Sequence, residues 1–156
     1  MPVLDLMDLP ATLASRTPVF GLDLGEKTIG VASSDIGLSI ASPLALIHRR
    51  KFTQDAEELF ALMASRGASG LVIGLPFNMD GTEGVRCQSN RAFARNILRL
   101  RNLPIAFQDE RMSTMAVNRM LIGEADLTRA KRAEVVDRAA AAWILQGALD
   151  RWSYRA

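Results

Sequence analysis

Apolar and polar positions change their period several times along this chain, and each change marks an element. Val19 to Leu22 and Ile29 to Ser33 read as strands, and the glycines of GEKTIG between them suit a tight connection. A third strand is expected over Ser39 to Ile47, with Pro43 pointing to a sheet edge. The period then becomes helical: Thr53 can cap a helix in which Ala56, Leu59, Phe60 and Met63 recur, ended by Gly67. GLVIGLP is short and continuously apolar, as a strand covered on both faces would be. The turn-rich FNMDGTEG leads into a helix over Arg86 to Leu100, with Ala94, Ile97 and Leu98 among its apolar positions. Pro104 to Gln108 gives another buried strand, and Ser113 can cap TMAVNRMLIGE. A basic connection, Leu127 to Ala133, precedes a last helix from Arg132 to Arg151. The order βββαβαβαα predicts an α/β domain, a mixed sheet flanked by helices.

Charged residues interrupt this pattern at three places. Asp23 stands between Leu22 and Leu24 inside a strand. Asp109 and Glu110 close the strand IAFQD directly before a capped helix, and ligands of α/β sheets bind beyond such strand ends. At 100° per residue Asp137 falls almost in line with Ala141, Ile144 and Ala148, within the arc expected to face the core. A lone buried carboxylate costs several kcal/mol. Each acid has a local explanation: Lys27 for Asp23, a turn or Arg111 for the DER pair, and the helix dipole for Asp137. Taken together, three acids meeting in one place would repel one another unless a divalent cation held them. Oxygen donors suit Mg²⁺ or Mn²⁺. Two such ions about 4 Å apart form the clamp used in phosphodiester hydrolysis.

Composition removes competing chemistries. The chain has 156 residues, 49% of them hydrophobic, which suits one domain. His48 is the only histidine and Cys87 the only cysteine, too few for a zinc site or a disulfide. No elbow motif surrounds any serine, and no P-loop is present. Residues 1–17, with Asp5 and Asp8, read as an extension rather than a signal peptide, with Leu4, Leu6, Met7 and Leu9 available to dock; residues 18–152 form the domain. The lack of a spanning segment and the single cysteine predict a cytoplasmic protein with no membrane association.

The net charge is only +2, but the basic residues are clustered. Arg91, Arg95 and Arg99 recur every four residues, Arg49, Arg50 and Lys51 form a second group, and Arg129, Lys131 and Arg132 lie just before Asp137. One such cluster reads as a solvated face. Three of them, one beside the suspected site, predict a nucleic-acid groove whose affinity falls with salt. In GLPFNMDGTEG, residues Asn78, Asp80, Gly81 and Thr82 are candidates for a phosphate-holding or lid loop.

Together, GLDLGEKTIGVASSD, GLPFNMDGTEG, DERMST and VVDRAAAAWILQGALD resemble the YqgF/RuvX family of Holliday-junction resolvase or pre-16S rRNA nuclease proteins, over Val19 to Trp152. The resemblance implies an RNase H-like fold: five strands ordered 3-2-1-4-5, with helices on both faces. It places catalytic and metal-binding acids on Asp23, Glu110 and Asp137, with Asp109 as the alternative metal ligand to Glu110. Lys27 is a candidate phosphate contact, although Thr28 stands where the family often has a basic residue.

The function expected is a nuclease dependent on Mg²⁺ or Mn²⁺, with two ions when substrate is bound. The resemblance implies processing of the 5′ end of pre-16S rRNA in ribosome biogenesis, by a cytoplasmic monomer or weak homodimer. Resolution of branched DNA is the near alternative, and a non-catalytic RNA-binding assembly or transcription factor is the alternative from another class. DLGEKTIGVA also resembles the first phosphate loop of sugar-kinase-like and actin-like ATPases, but those need two such domains and the chain is short.

Overall fold

The computed structural model describes residues 3–112 and 129–155, with the side chains of 3–111 and 139–153. A 3-10 turn, Leu6–Asp8, runs into the short helix α1, Leu9–Thr12. Then come β1 (Val19–Leu24), β2 (Thr28–Ser34), β3 (Ala41–His48), α2 (Phe52–Arg66), β4 (Gly70–Leu75) and α3 (Val85–Leu100). β5 (Ile105–Asp109) passes directly into a 3-10 turn, Glu110–Met112, and the chain ends with α4, Arg129–Arg155. The sheet order is β3-β2-β1-β4-β5. β1 runs antiparallel to β2 and parallel to β4, β2 antiparallel to β3, and β4 parallel to β5. This is the order expected for an RNase H-like sheet.

Strand alternation explains why the two faces differ. Phe20, Leu22, Leu24, Ile29, Val31, Leu71, Ile73 and Ile105 project to one face and pack with α2 and α3. Val19, Ala32, Val72 and Ala106 project to the other and pack with α4. Small residues on that second face let α4 come close. A Cβ on Gly21 would lie 2.6 Å from Leu145 Cβ and 3.0 Å from the Ala141 carbonyl. Ala141, Ile144 and Ala148 are buried there, so that side of α4 faces the sheet.

Several boundaries differ from those expected. α2 starts at Phe52, one residue before the expected cap Thr53. Its entry is held instead by Gln54, whose side chain accepts from the Lys51 N–H at 3.5 Å, and Asp55, which accepts from the Arg50 N–H at 3.0 Å. Gly67 ends it with φ of 69°, the left-handed conformation glycine tolerates. α4 begins at Arg129 rather than Arg132, which makes the basic segment its first turn; Arg, Ala and Lys all favour helix. Pro43 does sit on an edge strand, beside a register shift between Val31 and Ala32. The helix expected after Ser113 lies outside the described residues.

The N-terminal residues are docked. The Leu4 N–H donates to the Ile105 carbonyl at 2.8 Å along the free side of β5, Leu6 and Leu9 are buried, and Trp152 Nε1 donates to the Leu6 carbonyl at 2.8 Å. Among the described residues, no helix is long and apolar enough to cross a membrane.

Candidate active site at the carboxyl ends of β1, β4 and β5

Asp23 is the next-to-last residue of β1, on the face that α4 covers. Its partner across β2 is Gly30, and on the other side Gly74 lies one position beyond the Leu22–Ile73 pair. Glycine therefore flanks the carboxylate on both neighbouring strands, leaving space that side chains would fill. Glu110 takes part of it. After β5 the 3-10 turn swings its side chain back over Gly74, where a built Cβ would meet Glu110 Oε1 at 2.5 Å and Ile144 Cδ1 at 2.6 Å. Asn90, buried in the apolar stripe of α3, fixes the strand beneath by donating to the Gly74 carbonyl at 2.9 Å.

Lying over Gly74, the Glu110 side chain is brought beside Asp23 on the neighbouring strand. Burial first, then the charge of Asp23, raise the Glu110 carboxyl to about 7, against the opposing pull of Arg86. One shared proton is the way two adjacent carboxylates relieve repulsion without a cation.

The neighbouring acid has a different fate. Asp109 is paired with Arg111 at 2.6 Å and accepts further from its Nε and backbone N–H. Burial pushes Asp109 upward, but these Arg111 bonds outweigh it and hold the carboxyl below its ordinary value. Arg111 thus serves Asp109 and not Glu110. The two acids of DER separate: Glu110 goes to Asp23, Asp109 into an ion pair. Asp137 lies in α4, four residues before Ala141, and its side chain falls outside the described residues. Among the described residues no cluster of three Asp, Glu, His or Cys groups is assembled, so the described part of the acid site is a pair.

The glycine loop is an ordered turn that holds itself together. Asn78 donates to Thr82 Oγ1 at 3.0 Å, and Asp80 accepts from Thr82 Oγ1 at 2.6 Å and from its N–H at 2.9 Å. Gly81 has φ of 89°, which glycine alone adopts freely. The Arg111 guanidinium lies 5.3 Å from the Phe77 ring centre and joins the loop to the end of β5.

Of the basic candidates, Arg91 is neutralised by Glu83 at 2.7 Å and stacks over Phe107, whereas Arg95, Arg99 and Lys27 are exposed. Helical rise carries Arg95 and Arg99 about 6 and 12 Å along α3 from Arg91. Arg129, Lys131 and Arg132 lie at the start of α4, their side chains outside the described residues. Arg86 and Asn90 were not singled out by sequence as site residues. Asn90 left a signal, a polar residue in the stripe Cys87, Asn90, Ala94, Ile97; Arg86 left none among so many arginines.

A family model described as RuvX, Holliday junction resolvase, matches residues 17–151. A protein of Phenylobacterium zucineum named "Putative pre-16S rRNA nuclease" is 74% identical over 97% of both chains. One of the same name from Rhodospirillum rubrum is 63% identical over 96% of this chain and 93% of its own. Among solved structures, Thermus thermophilus RuvC in complex with a Holliday junction substrate shares the fold at a TM-score of 0.55 with 14% identity, covering 88% of this chain and 96% of the other.

Proposed function

Because the chain belongs to the RuvX family, we propose that it is a metal-dependent endonuclease that hydrolyses nucleic-acid phosphodiesters, with the 5′ end of pre-16S rRNA as its substrate. The observation that carries this reading is Glu110 folded over Gly74, beside Asp23, at the carboxyl edge of the parallel strands. Two half-buried carboxyls brought side by side are relieved by a shared proton or by a cation. Its all-oxygen donors fit Mg²⁺ or Mn²⁺. Asp23, Glu110 and Asp137 would hold the metal, with Asp109 kept by Arg111 as a neighbouring charge. When bound, such ions generate a nucleophilic hydroxide and stabilise the leaving oxygen of the phosphodiester.

The chain's own residues supply the setting. Gly30 and Gly74 leave room beside Asp23, Asn90 fixes the β4 carbonyl, and Ile144 closes the inner side of the acid pair. The loop containing Asn78, Asp80, Gly81 and Thr82 flanks the entrance. Arg95, Arg99 and Lys27, with Arg129, Lys131 and Arg132, supply attraction for the phosphate backbone, whereas Arg91 is held by Glu83. The protein would act in the cytoplasm as a monomer or weak homodimer.

Cleavage of a 5′-extended 16S rRNA precursor in Mg²⁺ or Mn²⁺, silent in EDTA and in the folded D23N variant, is the expected result. Full cleavage by D23N would reject the assignment of Asp23. The family description favours a second substrate, four-way DNA junctions, which belong in the same assay. Binding of either without cleavage in any metal would leave only a nucleic-acid-binding module.

A further inference from the structure

Three of the described arginines near the basic clusters are neutralised by carboxylates: Arg50 by Glu58, Arg91 by Glu83 and Arg111 by Asp109. Two others, Arg49 and Arg86, form no ion pair among the described residues, yet both are fastened to one spot. Arg86 Nη2 donates to the Leu24 carbonyl at 3.3 Å, and Arg49 Nη1 donates to the Gly25 carbonyl at 2.7 Å. These carbonyls belong to the first two residues after Asp23. The arginines arrive from opposite directions, Arg86 from the first turn of α3 and Arg49 from the residue after β3, and Arg49 also rests on the Phe93 ring at 6.0 Å.

We propose that Arg49 and Arg86 form a phosphate-binding clamp beside the acid pair, taking a backbone phosphodiester of the nucleic acid next to the one that is cut. A guanidinium offers five N–H donors in a fixed fork that matches phosphate oxygens. Each of these commits one donor to a carbonyl, which fixes its position while leaving the others for a ligand. The location meets an electrostatic need. Asp23 and Glu110 repel an approaching polyanion, and unneutralised cations at the same strand end offset that repulsion; Arg86 is near enough to pull the Glu110 carboxyl downward. A purely architectural pair would need only to brace the β1–β2 turn, which already closes through the Gly25 N–H to the Thr28 carbonyl at 2.9 Å.

The inference rests on the nuclease reading for its ligand class, but its test does not depend on cleavage. Binding of two fluorescent probes, an RNA stem with a 5′ single-stranded tail and a four-way DNA junction, is measured in EDTA across 50–200 mM salt. R86Q and R49Q should each lower the slope of log K against log salt by about 1. The defect of each is then about four times larger at 50 mM than at 200 mM salt. R66Q removes the same charge at the end of α2, beside Ser34 and Ser42 at the opposite end of β3 from Arg49, and should keep the wild-type slope. If R49Q fails to fold, R49K keeps the charge and should retain the slope while R86Q loses it. Loss on the RNA probe, the DNA probe or both supports the clamp and names its polymer. A wild-type slope in R86Q with both probes overturns it, whether or not the wild-type protein cleaves.

Discussion

Glu110 occupies the volume that any side chain at position 74 would need: a Cβ there would stand 2.5 Å from Oε1 and 2.8 Å from Cγ of Glu110. Real Cβ atoms are not found so close, and Ile144 Cδ1, at 2.6 Å, blocks the other direction. Gly74→Ala should therefore push Glu110 away from Asp23 or shift α4. Overpacking of this kind costs about 1–3 kcal/mol. Cleavage should fall at least about tenfold, the equivalent of 1.4 kcal/mol in barrier. Thermal unfolding and initial rates of the alanine variant check both; undiminished activity would mean that Glu110 does not need its place over the glycine.

The raised carboxyl of Glu110 gives the metal-free protein a pH dependence of definite sign. Its folded-state value, about 7, lies above the ordinary 4.5, so the folded state holds this proton more tightly than the unfolded chain. The associated stability is complete below about 4.5 and is lost as pH climbs through about 7. In EDTA, Tm should fall between pH 5 and pH 8, and the decline should be shallower in Glu110→Gln. Parallel curves for the two proteins would contradict the pairing. Because a cation competes with that proton, Mn²⁺ should raise Tm more at pH 8 than at pH 5.

These two relationships were unequally legible in the amino-acid order. The strands could be read because VFGLDL and GLVIGL are short apolar runs bounded by turn residues, and Asp23 interrupted the first visibly. Where Glu110 goes could not be read, since a 3-10 turn reverses its direction after β5 and only the fold sets Gly74 beneath it. The choice between Asp109 and Glu110 depended likewise on which acid Arg111 reaches. Helix α4 starts earlier than expected because Arg129, Ala130, Lys131 and Arg132 carry no stop signal. Arg86 and Arg49 are distinguished from other arginines only by the carbonyls they meet.

Arg111 links two segments, so its removal should be felt in both. It bonds Asp109, lies over Phe77 and holds Asp80 low after the larger effect of the Thr82 bonds. Arg111→Gln should speed hydrogen exchange at the amides of Gly81 and Thr82 by about tenfold. Exchange in the β4 amides should not change. An unaltered loop would show that its internal Asn78–Thr82 and Asp80–Thr82 bonds suffice.

The docked N-terminus makes the last case. Trp152 is 8% exposed and gives its indole N–H to the Leu6 carbonyl, so Trp152→Phe keeps most of the apolar contact while leaving that carbonyl without its donor. An unsatisfied buried acceptor costs about 1–3 kcal/mol. At 150 residues or more, that corresponds to a Tm lower by about 2–12 °C. Removing residues 1–12 should do worse: it bares the hydrophobic pocket of Leu6 and Leu9 and the free side of β5, where Leu4 pairs with the Ile105 carbonyl. An uncovered edge strand invites pairing with other chains. The truncated protein should therefore form oligomers by light scattering at concentrations where the full chain does not. A truncated chain with unchanged size and Tm would show that the segment merely lies on the domain.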